Sequence, residues 1–205
     1  MSVRVLLAIV AAIVPSIAVV AQRTSSPTPA ATRVVKYVPP ATLPARPAVD
    51  GTCQTDSTVA GYRPDAVRCL AGSQIYDPCF MTSRSDRVLC DVDPRDPTLG
   101  VVVNLTTALP QPAAAGARDF GNHAWFFELA DGSTCQPLSS NRREVEGLLE
   151  VYACRFALPG EADAVLGDLA PGHPLWTIQQ VLINKKIEPP TIKSTLIVPV
   201  KSVWQ

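Results

Sequence analysis

The sequence predicts an all-β protein: a disulfide-stapled antiparallel sandwich or barrel, preceded by a signal or anchor helix and a Pro-rich linker. Three observations predict it. Apolar and polar residues alternate at strand periodicity in short runs over much of residues 99–204. All six cysteines fall after an N-terminal apolar segment, which points to disulfides formed outside the cytoplasm. Turn-forming residues separate the runs at roughly regular spacing, as sandwiches and barrels require. The 205 residues suffice for one ordinary domain or two small ones. With 18 Lys+Arg against 18 Asp+Glu and 18% charged residues, the chain is neither a polybasic nucleic-acid tail nor an acidic disordered polymer. Two histidines leave little room for a multi-histidine metal site, and no cofactor or metal is implied.

Residues 1–21 read as an export segment. Arg4 is the only charge, and Val5 to Ala21 is almost entirely Val, Ile, Leu and Ala. Val19-Val20-Ala21 supplies small residues for a signal-peptidase cut before Gln22. The competing reading is an uncleaved anchor, although the apolar run reaches only ~26 Å against a hydrocarbon core of ~30 Å. Pro15 and Ser16 weaken a spanning helix further. Any membrane contact is expected only through this segment.

Residues 22–50 read as a disordered linker. Pro27, Pro29, Pro39, Pro40, Pro44 and Pro47 punctuate Thr, Ser and Ala, a composition that favours extended polyproline II over a packed core. Extended at ~3.1 Å per residue, it would hold a domain up to ~90 Å from a membrane or wall. Residues 51–205 carry 13 Lys+Arg against 17 Asp+Glu, a net charge of −4, which argues against DNA or RNA as a ligand.

Cys53, Cys69, Cys79, Cys90, Cys135 and Cys154 form an even set with no C-x-x-C spacing, so a disulfide framework is expected rather than a zinc knuckle or a redox pair. The spacing leaves connectivity open. Nearest-neighbour pairing is the expectation: Cys53–Cys69, Cys79–Cys90 and Cys135–Cys154. The last has the best local argument, since both cysteines lie in strand-like segments flanking a short connection.

The strands follow in order. Leu99 to Thr106 alternates, and Trp125, Phe127 and Leu129 alternate with Phe126 and Glu128. That run ends at Asp131-Gly132, a strong hairpin signal before Cys135. Leu149, Val151 and Ala153 continue to Phe156, and Trp176 opens a strand reaching about Ile183. Leu196, Val198, Val200 and Trp204 mark a final strand in which Pro199 signals an edge or a bulge. Asn141 to Glu150 admits a short helix at best, because Gly147 interrupts it.

Several segments together resemble an uncharacterised family of exported, Cys-containing β-domain proteins of actinobacteria and related bacteria. They are Gly51-Thr52-Cys53, Arg68-Cys69-Leu70, Asp77-Pro78-Cys79-Phe80 and Val88-Leu89-Cys90, then Glu128 to Gly132 with Cys135, Tyr152-Ala153-Cys154, Trp176 and Val203-Trp204. The resemblance covers nearly all of residues 51–205 and implies a fold but no activity. Gln54 stands where the family often has an aromatic residue.

Candidate chemistry is sparse. No G-x-S-x-G or S-x-x-K motif is present, and His123 and His173 are the only side chains that titrate naturally near neutrality. Asp91, Asp93 and Asp96 resemble a calcium loop faintly but lack its central Gly and terminal Glu, so they read as turn formers. Glu128 and Glu150 could pair across strands as in glycoside hydrolases. Asn104-Leu105-Thr106 fits a glycosylation sequon, meaningful only in a eukaryotic secretory pathway. Strand alternation predicts Trp125 and Phe127 inside and Phe126 at least partly exposed, which makes Phe126 the candidate binding surface. The expected function is an exported, non-enzymatic binding or envelope-associated domain whose partner is envelope polysaccharide or protein. The alternative is a secreted hydrolase with an acidic site assembled only in the fold.

Overall fold

The cross-strand patterning resolves into two β-barrels and an N-terminal strap that binds them together. The computed structural model describes residues 28–54, 56–109, 123–139, 141–157, 163–172, 174–184 and 186–205. The expected export segment, residues 1–21, lies outside the described residues. Among the described residues, no helix is long and apolar enough to cross a membrane. The strands are β1 (Arg33–Val35), β2 (Val49–Gln54), β3 (Ala66–Ala71), β4 (Gln74–Met81), β5 (Arg87–Cys90), β6 (Val101–Leu105), β7 (Phe126–Leu129), β8 (Thr134–Pro137), β9 (Glu144–Val145), β10 (Leu148–Leu149), β11 (Tyr152–Arg155), β12 (Asp163–Ala170), β13 (Thr177–Asn184) and β14 (Thr191–Trp204).

β2 to β6 form a closed five-stranded barrel. Consecutive strands pair antiparallel, and β6 returns to pair parallel with β2, Val103 opposite Val49 and Leu105 opposite Gly51. Closure is tight at Gly51: a Cβ there would stand 2.7 Å from the Leu70 carbonyl oxygen and 2.9 Å from Val103 Cγ1. Only glycine permits that approach. The interior packs Val67, Val88 and Val103 around Cys69, Cys79 and Cys90.

The second barrel is a nearly closed six-stranded sheet in the order β11-β8-β7-β14-β13-β12. Its two ends meet side by side, where the Tyr152 hydroxyl accepts a hydrogen bond from the Leu169 amide at 3.4 Å. The predicted hairpin is β7–β8: Gly132 takes φ 87°, and the Asp131 carboxylate accepts the Ser133 amide at 2.9 Å. The predicted proline irregularity is present too. β14 pairs with β13 as far as Pro199, shifts register between Val200 and Ser202, and continues against β7. The expected short helix at 141–150 is instead the β9–β10 hairpin, because Glu146 (φ 51°) and Gly147 (φ 81°) both adopt the left-handed conformation that a two-residue turn demands.

The three disulfides are Cys53–Cys69, Cys79–Cys90 and Cys135–Cys154, and no cysteine is free. Each joins directly opposed residues of adjacent antiparallel strands. Disulfides in this number mark an oxidising, extracytoplasmic setting.

The linker expectation requires correction from Thr32 onward. Thr32 Oγ1 donates to the Val200 carbonyl at 2.7 Å and accepts the Trp176 amide at 2.7 Å. β1 pairs in parallel with the end of β14, Val35 opposite Trp204. Tyr37 is buried at 8% exposure, packed on Phe80 and Trp125 with ring centroids 4.9 and 5.0 Å away. Leu43 and Ala48 pack against the same core before the chain enters β2. One aromatic anchor and a few main-chain hydrogen bonds offset the ordering of a segment whose average composition says linker.

Burial of Tyr37 pushes its phenol up to about 12. The folded state therefore favours the protonated phenol; its contribution is fully present below the unfolded value of ~10 and is lost as pH rises towards the folded one. Chemical denaturation between those pH values should show stability falling by on the order of 2 kcal/mol on this account. Tyr37→Phe should remove this share of the slope at little cost, since the Tyr37 hydroxyl has no hydrogen-bond partner among the described residues. The share due to Tyr62 and Tyr152, whose phenols burial also raises, should remain. Tyr37→Ala should cost ~3–5 kcal/mol, whereas a loss within ~0.5 kcal/mol would mean that the strap does not dock.

Candidate ligand-binding cleft between the barrels

Phe126 and Phe127, neighbours on β7, face different cores, and Trp125, just ahead of the strand, goes with Phe126 rather than with Phe127 as alternation predicts. Phe127 enters the six-stranded barrel and meets Tyr152 edge-on at 5.0 Å. Trp125 and Phe126 instead join the core shared by the two barrels, with Tyr37, Phe80 and Trp204. The expected exposure of Phe126 is thus incorrect: it is only 6% exposed, beside Trp125 at 1% and Phe127 at 0%. The outer face of β7 is covered by the other barrel, so the strand has no solvent face at this point.

What Phe126 does retain is one wall of a cleft. A cavity of about 450 Å³ lies between the barrels, within the size range of small-ligand sites. Val92 and Leu99 to Val101 line one side, and β8 and β11 line the other through Thr134 to Gln136 and Ala153 to Arg155. The Cys135–Cys154 disulfide is in this second wall, so the two strands cannot splay. Arg46, from the strap, completes the lining. A smaller cavity of about 260 Å³ adjoins it, sharing Asp91, Val92, Gln136 and Ala153.

The loop after β5 sets the charge at the rim. Asp91, next to the disulfide-bonded Cys90, takes φ 48°, a conformation that aspartate tolerates. Asp93 accepts the Arg95 amide at 3.0 Å, Nε at 2.9 Å and Nη2 at 2.6 Å. Asp96 accepts the Thr98 amide and hydroxyl at 2.9 and 2.6 Å. The two aspartates are turn formers, as the sequence implies. The Arg95 hydrogen bonds hold the Asp93 carboxyl below the usual carboxylate range, so it is ionised at neutral pH. Arg95 in turn lies 5.8 Å from the Phe126 ring centroid, a cation–π contact.

The other sequence candidates are dispersed. Glu128 pairs with Lys201 at 3.0 Å and Glu150 with Arg143 at 2.8 Å, and neither lines the cleft. His123 is exposed and stacks on Tyr62 at 5.2 Å, beside a separate cavity near Tyr152 and Asp168. His173 lies outside the described residues. The Asn104 amide donates to Asp50 at 3.1 Å. The sulfurs of Cys69, Cys79 and Cys90 lie within 4.8 Å of one another, but all three are bonded in disulfides. Sequence reasoning did not single out Arg46, Arg95 or Arg155. An arginine in a loop or on a strand carries no local signal that two barrels will converge beside it.

Fold and cleft together define a disulfide-stapled double-barrel β protein with an inter-barrel site. Comparison with family models, with curated proteins and with solved structures gave no match.

Packing against Trp125 at 5.8 Å and Trp204 at 5.4 Å makes Phe126 a structural residue as well as a cleft wall. Phe126→Ala should destabilise the protein by ~3–5 kcal/mol in urea unfolding. A change below ~0.5 kcal/mol would show the ring to be exposed after all.

Proposed function

We propose that this protein is an exported, non-enzymatic binding module of the cell envelope, and that the inter-barrel cleft takes its ligand, an envelope polysaccharide or protein. The observation that carries this reading is the rigidity of a ready-made concave site. One wall is stapled by Cys135–Cys154, the facing loop follows directly on Cys79–Cys90, and aspartate turns fix that loop. Preorganised walls cut the ordering cost of association, which favours binding. The three disulfides support export. Separate ion pairs for Glu128 and Glu150 favour binding over the hydrolase alternative, which needs two carboxylates facing one bond.

Ala153 gives a clean test, because it is exposed and lines both cavities. Ala153→Trp should fill the cleft without overpacking a core. Capture of envelope polysaccharide or protein fractions by the full secreted chain should fall at least about tenfold, with the melting temperature unchanged. Undiminished capture by a folded Ala153→Trp variant would remove the cleft from the function.

A further inference from the structure

We infer that the cleft recognises an acidic polysaccharide, one whose sugar rings carry carboxylates, and that Arg46 and Arg155 are the anchors of the carboxylate groups. The inference rests on the cleft being the binding site and adds the ligand's chemical class.

Arg46 and Arg155 line the cleft together with Asp91 and Asp93, and Arg95 stands beside it, over the Phe126 ring. The lining is balanced, Arg46 and Arg155 against Asp91 and Asp93, whereas residues 51–205 carry a net charge of −4. Anion attraction at this point therefore depends on which of the arginines are left free by the aspartates rather than on net charge. The three arginines are not equivalent. Arg95 is committed to Asp93, which already accepts three hydrogen bonds from that one residue. Arg46 and Arg155 make no hydrogen bond or ion pair among the described residues and act on Asp96 and Asp93 only at longer range. Both are exposed, and they come from different elements, the strap and β11. Two unengaged planar forks beside one cavity suit a ligand that repeats an oxyanion along its length.

The remaining lining selects sugar. Asp91, Thr134 and Gln136 offer acceptors and donors for hydroxyl groups, while Val92, Gly100 and the edge of Phe126 supply apolar contact for a ring face. The Asp91 carboxylate at the rim accepts from hydroxyls and repels a densely charged chain without them. Uronic-acid sugars combine hydroxyls with one negative charge per ring, which is what this mixed lining matches.

The test uses the full secreted chain and five probes in calorimetry: polygalacturonate, the same polymer methyl-esterified, dextran, polyglutamate and polyphosphate. Polygalacturonate should bind, with affinity falling as salt rises, and esterification should weaken it at least about tenfold, the loss of one charge-assisted contact. Arg155→Ala and Arg46→Ala should each weaken it by about tenfold at an unchanged melting temperature, and Arg155→Lys should recover only part, since an ammonium lacks the fork. Absence of polygalacturonate binding, equal binding of the esterified polymer or dextran, or equal binding of polyglutamate or polyphosphate overturns the inference. The two readings fail separately. If Ala153→Trp abolishes capture of an envelope fraction while the arginine variants bind it normally, the cleft stands and the acidic-glycan assignment falls. If Ala153→Trp leaves capture intact, the cleft itself falls.

Discussion

A single buried guanidinium holds the two barrels and the strap in register. Arg63, 5% exposed, donates through Nε and Nη2 to the Asp65 carboxylate at 2.9 and 2.6 Å, through Nη2 to the Tyr37 carbonyl at 3.1 Å and through Nη1 to the main-chain oxygen of Gln205 at 2.6 Å. Its flat faces lie near Phe80 and Tyr37, 4.8 and 5.6 Å from the ring centroids. Taking a charge out of water costs several kcal/mol or more unless it is paired and its donors are satisfied. Here the carboxylate neutralises the charge, and the remaining donors cross-link segments 26 and 142 residues away in sequence. Removing the strap would therefore uncover an aromatic core and strand part of this network together. That makes the docking of residues 32–48 cooperative with the fold rather than an ornament on it.

The cleft follows from this arrangement. Two curved surfaces, one closed and one nearly so, brought together along one shared core leave a concave seam where their curvatures diverge, and the seam's width is set by whatever fixes the barrels to each other. Tyr37, Phe80, Trp125, Phe126 and Trp204 form that fixed contact, all buried. The disulfides then keep each wall from deforming: Cys53–Cys69 and Cys79–Cys90 within the five-stranded barrel, Cys135–Cys154 within the other. A site of this kind carries little conformational freedom of its own. Its specificity is set by which side chains the loops and the strap present.

Much of the fold was legible because its signals are local. The Asp131-Gly132 turn, the alternation of Val101 to Leu105 and the break at Pro199 need only neighbouring residues to be read. Nearest-neighbour cysteine pairing succeeded for the same reason, since each pair joins adjacent strands. The failures share a cause too. β12, with a central glycine and two aspartates, carries no alternation that singles it out as a strand, yet Ala164, Val165 and Leu166 are buried in succession because both faces of the strand are covered. Phe126 was misplaced because alternation says which side of a strand a residue takes but not whether a second barrel waits there. The strap was misread because composition averages over many residues, while docking turns on Tyr37, Thr32 and three residues of β1.

The docked strap bears on function. Arg46 reaches the cleft only because the strap is anchored ahead of it, at β1 and Tyr37, and behind it, where Ala48 packs on the shared core and β2 begins. The prolines that made the segment look like a spacer serve this placement: a chain with fixed φ at Pro39, Pro40, Pro44 and Pro47 loses less entropy when it is laid across a surface than a glycine-rich one would. The same stretch therefore closes the fold and brings a charge to the site. A cleft built without it would keep its walls but lose one of its two unengaged guanidinium groups, leaving Arg155 alone opposite the two rim aspartates. The charge that balances the rim aspartates is then in part a consequence of strap docking, and binding and stability draw on the same few contacts.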